Sequence, residues 1–374
     1  CVKAGCRMIG VLRFMLRLPW MLLLATLALV FVGSSALYSA SQGSWSPWAE
    51  QHLIRAAMGA VIIAVMTFLP ARWLFKWSYI GLLGALCFLI ILQLIGFGTG
   101  ATRWIAIAGF NFQPSEPAKL AVILALARYL SEQTPEQLQE FVVYIPAIAL
   151  VGVPFGLVLI QPDLGTSLML LAGGLTVIFA AGVPRRYIFG AVIAGLASLP
   201  VLWSQLYDYQ KARVMTFLNP DADQLGAGYQ IAQSKIALGS GGLFGKGFLM
   251  GSQSQLNYLP EKQTDFVFTM IGEEFGFIGN VAILIIYFII LTSIILIALR
   301  CENRFARLSC MGVSMMIFLY MFVNVAMVTG LMPVVGAPLP LISYGGTAML
   351  TVFAGIGIVV NASINSHIED SDYL

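Results

Sequence analysis

Along most of the chain, apolar residues come in runs too long for a soluble strand or an amphipathic helix. Ten such runs can be delimited, at about 20–38, 54–70, 77–97, 117–131, 142–161, 165–183, 187–204, 266–299, 308–332 and 345–364. A helix crossing a bilayer needs about 20 mostly apolar residues, because the hydrocarbon core is roughly 30 Å thick. Backbone amides and carbonyls find no partners in lipid, so runs of this length must be helical. The pattern predicts an all-α, polytopic membrane helix bundle of about ten transmembrane helices, forming one membrane domain over 1–374. The fourth run is short for a complete crossing. The eighth would extend about 50 Å at about 1.5 Å per residue, so it is expected to bend or to project from the membrane. The first is long enough to remain as a span rather than be removed as a leader.

One long polar interruption, 205–265, separates the seventh and eighth runs. It holds ten of the 37 charged residues and eight of the 37 glycines, and it ends in Leu259-Pro260-Glu261-Lys262-Gln263-Thr264-Asp265 against the next apolar run. Lysine and arginine set the orientation. Twelve lie in the N-terminal tail and one set of short loops, among them Arg17, Arg72, Lys76, Arg128, Arg185, Arg186, Arg300, Arg304 and Arg307. The other side carries eight, five of them in the long interruption (Lys211, Arg213, Lys235, Lys246, Lys262), where the rule weakens. Both termini are therefore expected in the cytoplasm and the 205–265 loop outside.

Composition narrows the classes. With 59% hydrophobic and 10% charged residues and a mean hydropathy of +0.89, a soluble domain is excluded. A net charge of +3 is too small to suggest nucleic acid. Cys1, Cys6, Cys87, Cys301 and Cys310 fall in no predicted outer loop, so free thiols are expected. His52 and His367 have no metal-ligand spacing around them.

Five polar stretches can carry chemistry. In Gln113-Pro114-Ser115-Glu116-Pro117-Ala118-Lys119, Ser115 suits an N-cap and Pro117 the first turn, which puts Glu116 and Lys119 on one helical face. Their pairing is either structural or a device for holding an anionic ligand. Gln161-Pro162-Asp163-Leu164-Gly165-Thr166-Ser167 is a tight turn in which Asp163 either caps the next helix or binds a sugar hydroxyl or a cation. In the long loop, Arg213 precedes Gly239-Ser240-Gly241-Gly242-Leu243-Phe244-Gly245-Lys246-Gly247. That glycine spacing is neither a Walker loop nor a dinucleotide fingerprint, and it reads either as turns or, with its cations, as a pyrophosphate site. Asp265, just before an apolar helix, is an N-cap or a general base. No exposed His, Cys or Ser-His pair exists on that side, so proton transfer there would fall to a carboxylate. Glu273 and Glu274 lie about 12 Å further along the helix and are expected to pair within the bundle. Gly272, Gly276 and Gly279 form a small-residue stripe suited to helix packing. Finally, 333–347 carries Gly336, Pro338, Pro340, Ser343, Tyr344 and Gly345, and reads either as a re-entrant loop lining a cavity or as an ordinary outer loop.

Taken in order, 113–119, 161–167, 226–247, 251–255 with 259–266, and 333–346 resemble the motifs of the SEDS (shape, elongation, division and sporulation) family, most closely its rod-shape-determining branch. The first hundred residues match in hydropathy alone, and Pro117 stands where an aliphatic residue is more usual. The resemblance implies a peptidoglycan glycosyltransferase that polymerises lipid II at the outer face of the bacterial cytoplasmic membrane beside a class B penicillin-binding protein, a single-span transpeptidase. It places the family's essential loop aspartate on Asp265 and its charged pair on Glu116 and Lys119. It also marks Asp163, Arg213, Lys246, Gln253, Ser343 and Tyr344 as substrate-side residues. A divalent cation, Mg or Mn, is a possible cofactor. The alternatives are a lipid II flippase and a non-catalytic scaffold for cell-wall enzymes.

Overall fold

The computed structural model describes residues 17–95, 104–107, 110–161, 163–205, 208–219, 226–256, 258–259 and 261–367. Among them the chain is a helical bundle. Helices α1 (Trp20–Ala40), α2 (Trp48–Phe68) and α3 (Ala71–Ile95) precede a small antiparallel hairpin, β1 (Ile105–Ile107) and β2 (Phe110–Phe112). Helices α4 (Ser115–Ser131), α5 (Tyr144–Ile160), α6 (Leu164–Ala180) and α7 (Arg185–Gln205) follow. The polar interruption holds α8 (Asp208–Leu218), α9 (Ala227–Ser240) and the short α10 (Ser252–Gln255). Helices α11 (Val267–Arg300), α12 (Arg304–Val328) and α13 (Gly346–Ile364) complete the bundle. Seven of the described helices are long and apolar enough to cross a membrane, and the chain is a multi-pass membrane protein.

The ends differ from the hydropathy pattern where hydrogen bonding outlasts it. Helix α2 begins at Trp48 rather than 54, because Glu50, Gln51 and His52 interrupt the apolar run without interrupting the helix. Helix α12 stops at Val328 instead of 332, where Gly330 turns the chain with φ +73°. Three helices occupy the interval that hydropathy reads as loop, and β1–β2 is a feature the all-α reading lacks.

Helix α12 sits at the centre, packed against α4, α6, α11 and α13, while α13 also lies along α2 and α1 lies along α11. Polar side chains fasten these contacts. Asn361 of α13 donates to the carbonyls of Met66 at 2.9 Å and Leu69 at 2.6 Å, which lie at the exposed end of α2 before Pro70. In α4 the chain is already helical at Pro114 (φ −64°, ψ −25°), so Ser115 lies inside the first turn and does not cap.

The long eighth run bends, at a defined place. Gly276 adopts φ +70°, ψ −164°, breaking α11 after two turns. The 241–247 turn docks there. The amides of Lys246 and Gly247 donate to the Glu273 and Glu274 carbonyls, both at 3.0 Å, and the Phe277 amide donates to Gly242 at 2.9 Å. A Cβ on Gly245 or Gly276 would collide with the opposing backbone. The glycines on both sides therefore allow backbone against backbone, and the helix break is satisfied from within the protein, as lipid requires.

Candidate active site

The N-termini of α4 and α6, helix α8, the turn before α11 and the 333–345 segment converge on a cavity of about 320 Å³. Five of the residues singled out by sequence line it: Glu116, Asp163, Arg213, Asp265 and Tyr344. Gln113, Glu261 and Tyr320 line it as well.

Asp265 is positioned by its main chain. Its amide donates to the Glu261 carbonyl at 3.2 Å, and its carbonyl accepts from Asn324 Nδ2 at 2.9 Å. The N-cap of α11 is Phe266, with no side-chain cap bond. The Asp265 carboxylate is thus not consumed as a helix cap, and among the described residues it makes no side-chain hydrogen bond or ion pair. Gly336, with φ +74°, lets the 333–345 backbone pass beside it, since a Cβ there would lie 3.3 Å from Asp265 Oδ2. Burial, aided by the nearby negative charge of Glu261, pushes the Asp265 carboxyl up to about 6, while Arg213 pulls the other way.

The wall opposite is charged but internally satisfied. Lys119 Nζ lies 2.8 Å from Glu116 Oε1, with both side chains buried. The Tyr320 hydroxyl joins them, accepting from Lys119 and donating to Glu116. Lys119 therefore sits behind the cavity wall, and Glu116 and Tyr320 present its surface. Asp163 caps α6 through the Thr166 amide at 3.2 Å, and it also accepts from Thr166 Oγ1 at 2.9 Å and Gln113 Nε2 at 3.0 Å. Of the two sequence readings of Asp163, the structure shows the cap, and it places the same residue in the cavity lining.

Three other residues are placed elsewhere. Lys246 Nζ binds Glu273 Oε1 and Ser252 Oγ, each at 2.7 Å, and the Gln253 amide donates to the same Glu273 oxygen at 2.9 Å. The amides of Lys246 and Gly247 are already spent on α11. The glycine-rich turn is accordingly a fastening for the helix break, and neither Lys246 nor Gln253 reaches the cavity lining. Glu273 and Glu274 do pair inside the protein, the latter with Ser39. Ser343 is buried and absent from the lining, its hydroxyl accepting from the Leu339 amide at 2.8 Å and donating to the Thr264 carbonyl. Tyr344 is held from outside, its ring under the Arg55 guanidinium at 4.1 Å and its hydroxyl bonded to Gln51.

Tyr320 and Asn324 escaped the sequence reading of the site. They lie one turn apart on α12, and polar side chains at that spacing in an apolar span were the available clue. Pro162 and Pro260 of the motifs lie outside the described residues. No cluster of three or more His, Cys, Asp or Glu suited to a metal ion occurs among the described residues. Asp163, Glu116 and Glu261 already accept from protein donors, which leaves Asp265 as the one carboxylate of the described lining without a side-chain partner, too few for a protein-held divalent cation.

The family model described as FtsW/RodA/SpoVE, cell cycle protein, matches residues 14–368. The peptidoglycan glycosyltransferase MrdB of Escherichia coli (strain K12) is 43% identical over 351 residues, covering 92% of this chain and 93% of that protein. A solved structure described as "Structural coordination of polymerization and crosslinking by a peptidoglycan synthase complex" superposes with a TM-score of 0.80 at 30% identity, covering 94% of this chain and 98% of the other. The crystal structure of the rod shape determining protein RodA of Thermus thermophilus gives 0.70 at 28% identity, with the same coverage. With a bundle of this architecture, the ordered motifs converging on one cavity and near-complete coverage, the chain belongs to the FtsW/RodA/SpoVE (SEDS) family.

Proposed function

We propose that this peptidoglycan glycosyltransferase polymerises lipid II at the outer face of the cytoplasmic membrane, with Asp265 as general base. The acceptor's N-acetylglucosamine 4-hydroxyl oxygen attacks C1 of the donor N-acetylmuramic residue. Its proton passes to the Asp265 carboxylate, the C1–O bond to phosphate breaks, and the lipid pyrophosphate leaves as an anion. The anomeric centre inverts. A glycosidase needs a second carboxylic acid to protonate a poor leaving group, whereas pyrophosphate departs as a stable anion, so one base and positive charge suffice. Arg213 is the basic residue among the described cavity lining and is assigned to that anion. Glu116, Asp163 and Tyr344 are assigned to the saccharides. Lys119 acts through Glu116 and Tyr320, and Lys246, Gln253 and Ser343 hold the elements that frame the cavity.

The observation that carries this reading is an aspartate whose carboxylate makes no side-chain bond among the described residues, faces a cavity and is raised to about 6. At neutral pH such a group is mostly ionised, yet it is a stronger base than an ordinary aspartate. In this reading both termini are cytoplasmic, the cavity opens outward, and a single-span class B penicillin-binding protein is the partner, in keeping with the synthase complex that the fold resembles. Transporters also break helices near the midplane, but here the break at Gly276 is filled by the 241–247 turn, whose backbone bonds to it.

The test is purified protein with lipid II in detergent, scored for long glycan chains. Product from the parent and at least about 10²-fold less from Asp265→Asn is expected. Parental polymerisation by that variant overturns the assignment, and movement of labelled lipid across liposomes without product would favour a flippase.

A further inference from the structure

Helix α7 stands off from the bundle and runs alongside no other described helix at close range. The recess between its first turns, the end of α6 and the start of α5 has a volume of about 770 Å³. We infer that this recess is a binding site for one anionic phospholipid, its acyl chains between α5, α6 and α7 and its headgroup at Arg185 and Arg186.

Chemistry changes sharply along the recess. Its wall is apolar, with Ile148, Leu175, Phe179 and Val192 among the lining residues. The polar groups along it are satisfied within the protein: Thr176 donates to the Ala172 carbonyl and Tyr144 to the Leu138 carbonyl, both at 2.8 Å. With those protons committed and the rest of the wall apolar, water entering there would find few partners, so hydrocarbon is the compatible filling. The mouth is cationic. Arg186 Nη2 donates to the Gln139 carbonyl at 2.8 Å and to the Tyr187 hydroxyl at 3.0 Å, which fixes the guanidinium while its other donors have no protein partner among the described residues. Arg185 is exposed and makes no ion pair among them. The nearby Glu140 pairs with neither arginine. Basic residues at the end of a gap between membrane helices suit an anionic headgroup.

The depth of the recess favours lipid over another protein helix. On α7 the lining runs from Arg186 to Ala194, about 12 Å of helix rise. That is within one leaflet of a hydrocarbon core roughly 30 Å thick. A spanning helix would need a continuous lining over the full thickness of the core, about two and a half times that rise.

The site is independent of the chemistry proposed for Asp265. Native mass spectrometry of the purified full chain, titrated in detergent with phosphatidylglycerol or phosphatidylcholine, tests it. Each arginine beside an anionic headgroup is worth about fivefold in affinity. The parent should therefore prefer phosphatidylglycerol by about 30-fold, and the double variant Arg185→Ala/Arg186→Ala should fall to near parity. Ala194→Phe, which obstructs the recess and leaves both arginines, should lower retention of both lipids. Equal retention of the two lipids by the parent, a preference that survives the double variant, or a second copy of the chain bound at this face instead of lipid would each overturn the site.

Discussion

Asn324 holds Asp265 by its main chain: its Nδ2 donates to the Asp265 carbonyl at 2.9 Å and, from the same amide group, to the Ala337 carbonyl at 2.7 Å. One fully buried side chain of α12 thus ties the turn that carries the proposed base to the 333–345 segment that faces it. Replacing it by alanine leaves two carbonyls without their donor, at about 1–3 kcal/mol each if they stay dry. Asn324→Ala should lower the polymerisation rate by about tenfold or more, because small displacements of a reacting group are expensive. Lipid II binding should change far less. Steady-state kinetics on folded protein separate the two, and an unchanged rate constant would remove Asn324 from the positioning role.

The elevated Asp265 carboxyl sets an acid limit on activity. A base must be ionised, so the rate should rise with pH through about 6 and level off above it. Glu261 raises this group by like-charge repulsion and Arg213 lowers it. Glu261→Gln should therefore move the acid limb to lower pH and Arg213→Gln to higher pH. Opposite displacements in the two pH–rate profiles are the outcome to look for, and a shift of the same sign in both contradicts the electrostatic account.

Asp265→Asn should lose activity without losing stability. The folded-state pKa, about 6, lies above the 3.8 of an ordinary aspartate. The folded state thus holds its proton more tightly, and ionising this group opposes folding progressively from about pH 4 to above pH 6. Removing the charge should stabilise the protein at neutral pH on the order of 1–3 kcal/mol, nearer the low end because the site is open to solvent. The apparent melting temperature in detergent, compared at pH 5 and pH 7.5, reads this directly. The variant's advantage should grow at the higher pH.

What the sequence disclosed divides by range of interaction. Spans follow from local hydropathy, so α1, α5, α6 and α13 lie close to where the apolar runs put them. The convergence of Glu116, Asp163, Arg213, Asp265 and Tyr344 on one cavity was approached through ordered motifs, without any geometry. Short polar helices inside 205–265 were illegible because hydropathy scores them as loop, although α9 packs on α11. The role of the 241–247 turn was also hidden. Glycine composition cannot distinguish amides aimed at phosphate from amides aimed at carbonyls, and here Glu273 and Glu274 of the same chain receive them. The stripe of Gly272, Gly276 and Gly279 suits helix packing by composition, whereas in the structure Gly276 is the break itself.

The Glu116–Lys119–Tyr320 cluster permits a test that separates structure from chemistry. All three side chains are buried, and the two charges neutralise each other across 2.8 Å. Lys119→Met alone leaves Glu116 buried without its counter-charge, a change that typically destabilises by about 3–5 kcal/mol. Tyr320→Phe removes a hydroxyl bonded to both charges and should cost about 1–3 kcal/mol. The double variant Glu116→Gln/Lys119→Met has no charge left to strand, so it should recover much of the stability lost by Lys119→Met. Glu116 and Tyr320 reach the cavity surface whereas Lys119 does not. Polymerisation should therefore stay at least about tenfold below the parent in the stabilised double variant, and it should be partly retained in Tyr320→Phe, where Glu116 keeps its charge. Thermal unfolding in detergent and glycan synthesis from lipid II, measured on the same preparations, decide the matter. Activity that returns in step with stability would make the cluster a brace for α4 and α12 and nothing more.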